Sequence, residues 1–180
     1  MVLRLFRAAC LAAVLAGCAG VEPPPDTAFI PAWAAPAWQG DIVAIWHAQW
    51  AWADPSRTHG APAQGALAVA EIDYLAGQLS SNPLWVTVSP FAKIRMLQAR
   101  EDVRAVLGIA PDASSQAVVD AMLAAEEALD AGDRQAALAY LSVPIFTLGG
   151  EQTLARLNAL PYVQTANIGT AMTAESPLLT

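Results

Sequence analysis

Apolar residues in this chain recur at intervals of three and four over most of its length, and the breaks in that period mark where helices stop. The first long run, Asp41 to Ala53, puts Ile42, Val43, Trp46 and Trp50 on one side, with Ile45 and Trp52 beside them. Ala44, His47, Ala48 and Ala51 form the other side. Asp41 is placed to cap this helix and Pro55 lies just beyond it. So little of its surface is strongly polar that it is expected at the centre of a bundle or against something apolar, with Trp46 and Trp50 as core residues.

The same period predicts further helices. One runs from Pro62 to about Leu79 on a stripe of Ala68, Ile72, Leu75 and Leu79, and Ser80-Ser81-Asn82-Pro83 stops it. Leu84 to Val88 alternates like a short extended piece but has no strand to pair with. Ser89-Pro90 opens the next helix, which ends at Leu107 with Gly108 as a glycine stop and Ile109 behind it. Phe91, Met96, Ala99, Val103, Val106 and Leu107 share its broad face. Asp112 is expected to cap a fourth helix reaching Ala131, buried through Val118, Val119, Met122, Ala125 and Leu129. Gly132 breaks that helix, and Asp133 caps Arg134 to Ser142. The Ala131-Gly132-Asp133 turn with Ala136-Ala137-Leu138 resembles the hairpin of tetratricopeptide repeats, but no second copy follows at a fixed period, so it reads as an ordinary antiparallel pair. Gly149-Gly150 opens a helix over 151–159 with Leu154 and Leu157 inward, and Pro161 to Met172 can form a last one. The expected fold is therefore all-α, a small irregular bundle of five to seven helices over residues 41–173 with a flexible tail at 174–180.

The N-terminus follows a different pattern. Arg4 and Arg7 precede an apolar run from Ala8 to Ala16, which has the form of an export signal. It is shorter than the ~20 apolar residues needed to span a bilayer. The run closes on Leu15-Ala16-Gly17-Cys18, which resembles the lipobox of bacterial lipoproteins. That resemblance implies removal of residues 1–17 and acyl chains on Cys18 that hold the protein on a membrane essentially permanently. Ala19, in place of an aspartate, resembles the pattern sent to the outer membrane, facing the periplasm. Residues 18–40 then read as a tether: Pro23, Pro24 and Pro25 stand together, and Pro31-Ala32-Trp33 recurs as Pro36-Ala37-Trp38. At ~3.1 Å per residue in polyproline geometry, its Val21 to Gly40 stretch reaches up to roughly 60 Å.

Without residues 1–17, 163 of the 180 residues remain, enough for one domain with a core. Seven Lys and Arg then stand against sixteen Asp and Glu, a net charge of −9, which argues against a nucleic-acid partner. Cys10 leaves with the signal and Cys18 is the anchor, so the domain must hold together by burial without disulfides, and cysteine-based zinc sites are excluded.

Candidate chemistry is sparse. Five of the six tryptophans, Trp33, Trp38, Trp46, Trp50 and Trp52, fall within twenty residues downstream of the anchor, a composition suited to a membrane interface, a ligand or a bundle core. Stacking on a sugar is a further use of such rings, but no neighbouring carboxylates and amides are placed in sequence to orient one. His47, Asp54 and His59 could supply a base and an acid, yet their spacing matches no metal or nucleophile motif. Lys93, Arg100 and Arg104 lie on one side of a helix and could meet an anion; the plainer reading is a solvated face with an exposed Glu101–Arg104 pair. The reading that these features favour is a non-catalytic binding or assembly domain anchored in the cell envelope. It has an envelope protein as partner and neither cofactor nor metal. The second is a periplasmic carrier of a lipid or other apolar small molecule, and the third an enzyme using His47, Asp54 and His59.

Overall fold

The computed structural model describes residues 26–31 and 40–176. Residues 1–25 and 32–39, with Cys18, Trp33 and Trp38 among them, lie outside the described residues, as does 177–180. Among the described residues seven α-helices follow in order: α1 (Gly40–Ala53), α2 (Pro62–Ser81), α3 (Pro90–Leu107), α4 (Ser115–Asp130), α5 (Arg134–Tyr140), α6 (Gly150–Leu157) and α7 (Gln164–Ala174). Two 3-10 turns, at 55–57 and 83–85, interrupt them. The expected small all-α bundle is what forms. Among the described residues extended pairing is limited to one isolated bridge between Ile109 and Phe146.

α2 is the centre, packing against α4, α3 and α1, while α7 lies against α3 and α1 on the far side. Its small residues allow that many neighbours: Gly65, Ala66, Ala68, Ala70, Ala76 and Gly77 are all buried. A methyl group on Gly65 would meet the Leu157 carbonyl oxygen at 2.5 Å, so α6 sits directly on the α2 backbone. α7 approaches α3 in the same way, with Gly169 over Met96 and Arg95. Ala92, Met96, Ala99, Val103 and Leu107 form the inward stripe of α3 at helical spacing. Phe91, expected on that face, is 72% exposed, because at helical spacing it falls on the outward side with Ile94, Arg95 and Gln98 while Ala92 turns inward.

α1 is turned over relative to expectation. Its buried residues are Gly40, Asp41, Ala44, Ile45, Ala48, Ala51 and Trp52, whereas Val43, Trp46 and Trp50 face outward. The alanine side lets α1 lie close to α2 and α7. Dense contact along a whole helix wins over burying two bulky rings that would hold the axes apart. Trp52 alone goes inward, donating Nε1–H to the Ala68 carbonyl at 3.2 Å.

Ser114, not Asp112, caps α4, accepting from the Ala117 N–H. The Pro111 and Ala113 carbonyls are taken by the Arg104 guanidinium and the Ser115 N–H by Asp26, so no helix can continue through them. Leu84 to Val88 is not an extended piece but continues the 3-10 turn at 83–85 into further turns: Asn82 accepts from the Leu84 N–H and pulls the chain round. At the C-terminal end, Ala174 and Ser176 are buried, so the domain runs past 173.

The segment Asp26–Pro31 is not a free spacer. Its Ala28 is fully buried, and Gln116 brackets Phe29, accepting its N–H at 2.7 Å and donating to its carbonyl at 3.1 Å. Gln78 donates to the Ala28 carbonyl, and Arg100 to that of Asp26. Gly77 makes this docking fit, since a Cβ there would lie 2.5 Å from the Asp26 carbonyl oxygen.

Candidate functional site

α2 carries two acids inside an apolar run, Glu71 and Asp73, and both are buried. A buried carboxylate requires a partner, and each takes one from a different helix.

Asp73 pairs with Arg104. The guanidinium spans both carboxylate oxygens, donates to the Pro111 and Ala113 carbonyls, and shares Ser115 Oγ with Asp73. Burial raises the Asp73 carboxyl despite this cation. Arg104 is itself buried, so the anion stripe expected from Lys93, Arg100 and Arg104 does not form as such, and neither does an exposed pair with Glu101. Arg100 is likewise engaged, donating to the Asp26 carbonyl and to Ser115 Oγ. Lys93 remains half-buried on α3. The physical reason is that a face of α3 basic in sequence is the one α2 covers, with Asp73 supplied from the other side.

Glu71 pairs with His47 of α1. His47 Nδ1 lies 2.6 Å from a Glu71 carboxylate oxygen, and Nε2 lies 3.1 Å from Gln64 Oε1. Burial pushes the Glu71 carboxyl up to about 7, with His47 opposing the shift. For His47, burial alone would lower the imidazole. The Glu71 hydrogen bond and charge, helped by Gln64 and Glu126, outweigh it and leave the imidazole raised. The hydrogen bond between Nδ1 and the carboxylate couples the two titrations.

Of this pair, His47 lines an open trough on the outer face of α1. Ile42, Val43, Trp46, His47, Trp50 and Gln64 line a volume of about 560 Å³. The His47 and Trp50 rings are 5.5 Å apart with planes inclined by 35°. Arg57 backs the trough, donating to the Trp50 carbonyl at 2.6 Å with its guanidinium carbon 5.7 Å from the ring centre.

No family profile, curated protein or solved structure matches the chain.

The trio His47, Asp54 and His59 is not assembled. Asp54 caps the turn at 55–57 through the Ser56 N–H, which lowers its carboxyl, and no hydrogen bond or ion pair joins the exposed His59 to the other two. The partners of His47 are Glu71 and Gln64, which were not singled out from sequence. Their signal was present: two acids interrupting an otherwise apolar helix have to meet cations from elsewhere. Gln64 and His47 do stand at the edge of the tryptophans, but they are turned on each other and on Glu71. Among the described residues no group of His, Cys, Asp and Glu could hold a metal ion, and no helix is long and apolar enough to cross a membrane.

Proposed function

We propose that the protein is a lipid-anchored component of the bacterial cell envelope, held through acyl chains on Cys18 at the outer membrane. Its helical domain faces the periplasm and binds or assembles with another envelope protein through the outer face of α1. The observation that carries this reading is the exposure of Val43, Trp46 and Trp50, at 55%, 46% and 40%, on a helix with a small-residue side for packing inward. Bulky aromatic side chains outside a core are the anchors on which interfaces most often turn. The lipobox supports the anchor. Because Asp26 is already docked on the domain, the chain from Cys18 to that point spans at most ~28 Å, about half the reach expected of a free tether.

The test is a photoreactive amino acid at Trp50 in living cells, with a control at Gln135. The reading expects a discrete crosslinked protein at position 50 that Trp46→Ala removes, and acyl chains on Cys18 in the mass spectrum. Crosslinks of equal pattern at both positions would overturn the α1 face. A bound apolar molecule in the native mass spectrum, lost in Trp46→Ala, would instead favour the carrier.

A further inference from the structure

A second apolar surface lies where α2 turns into α3. Leu84, Val86, Phe91 and Ile94 are 59%, 74%, 72% and 51% exposed and fall within eleven consecutive residues. The connection keeps only what it needs inward: Trp85, Val88 and Ala92 are buried. Trp85 donates Nε1–H to Asp41 at 2.7 Å, which fixes the corner to the start of α1. A rigid corner with four outward apolar side chains presents them without local unfolding.

The charge around this corner differs from the rest of the chain. No acidic residue occurs between Asp73 and Glu101, a stretch that holds Lys93, Arg95 and Arg100. Packing brings two acids near. Glu175 ends α7, which runs antiparallel to α3 through Gly169 beside Arg95 and Thr165 bonded to Asp102. Asp41 is buried and already accepts from Tyr74 and Trp85. Lys93 and Arg95 thus flank the apolar side chains on a protein that is otherwise strongly acidic.

The docked segment relates this corner to the anchor. Arg100 holds the Asp26 carbonyl at 2.9 Å, and Arg100 is six residues beyond Ile94, a rise of ~9 Å along α3. From Asp26 no more than ~28 Å of chain leads back to Cys18. A bilayer holding acyl chains on Cys18 is therefore within reach of the corner.

We propose that this corner is a second membrane contact, in which Leu84, Val86, Phe91 and Ile94 enter the headgroup region and Lys93 and Arg95 meet lipid phosphates. It rests on the lipid-anchor reading and goes beyond it by orienting the domain on the membrane.

The test uses the acylated full-length product, whose Cys10 leaves with the signal and whose Cys18 is blocked. Phe91→Cys then offers a single thiol for a nitrobenzoxadiazole probe, and Ala139→Cys on α5 is the control, both at exposed positions. In vesicles containing 30 mol % phosphatidylglycerol, acrylamide quenching at position 91 is expected to be at least threefold weaker than at 139. Lys93→Glu with Arg95→Glu should restore at least half of it. Equal quenching at the two positions, with acyl chains present on Cys18, overturns the membrane contact and leaves the corner for a protein partner. Acyl chains missing from Cys18 overturn the anchor itself.

Discussion

Arg104→Ala is the perturbation that separates the folded arrangement most sharply from the reading of Arg104 as a surface anion contact. In the structure its side chain is 7% exposed against 1% for Asp73, and it satisfies both carboxylate oxygens, two carbonyls and Ser115 Oγ. Truncation would strand a buried carboxylate with Ser115 as its remaining donor and orphan the Pro111 and Ala113 carbonyls. Breaking a buried pair from one side costs about 3–5 kcal/mol, a fifth or more of the roughly 5–15 kcal/mol that holds a typical domain. Urea unfolding followed by tryptophan fluorescence measures this directly, with an unchanged slope showing that the same surface unfolds. Arg104→Met combined with Asp73→Leu should recover most of the loss, since removing both charges also removes their desolvation. A loss below about 1 kcal/mol for Arg104→Ala, the range of exposed pairs, would refute the reasoning.

Other outcomes follow from the same packing. Trp52→Ala should destabilise by about 3–5 kcal/mol as a buried ring is lost, while Trp46→Ala and Trp50→Ala should move the urea midpoint little; equal losses at all three would mean α1 is not turned as described. Glu71 and His47 both titrate above their ordinary values in the folded protein, so each contributes stability that is complete at low pH and fades as pH rises through its folded value. The urea midpoint should therefore fall between pH 5 and pH 8, and Glu71→Gln should flatten that slope; a midpoint that rises with pH would contradict the assignment. Gly77→Ala favours the helix intrinsically by up to ~1 kcal/mol but places a methyl against Asp26 and Thr27. Helix content should be retained while chymotrypsin cuts faster after Phe29, and an unchanged rate would argue that the segment is not docked there.

What could be read from the chain alone was set by local chemistry. Apolar spacing gave the helices, Ser89-Pro90 and Gly108 bounded α3, and Gly132 with Asp133 opened α5, because caps, prolines and left-handed glycines act on the backbone within a few residues. The same spacing did not mark Glu71 and Asp73 as buried acids on α2, since burial of a charge depends on a partner from another helix. Tertiary structure decided the rest. Which side of α1 faces inward depends on how closely α2 and α7 approach, a competition between ring burial and axis separation that spacing along one helix does not contain. The pairs Glu71 with His47 and Asp73 with Arg104 join residues 24 and 31 positions apart, and the clamp on Phe29 reaches Gln116 across 87. Such partners are chosen by which buried charge meets which in the packed interior, where water no longer satisfies either.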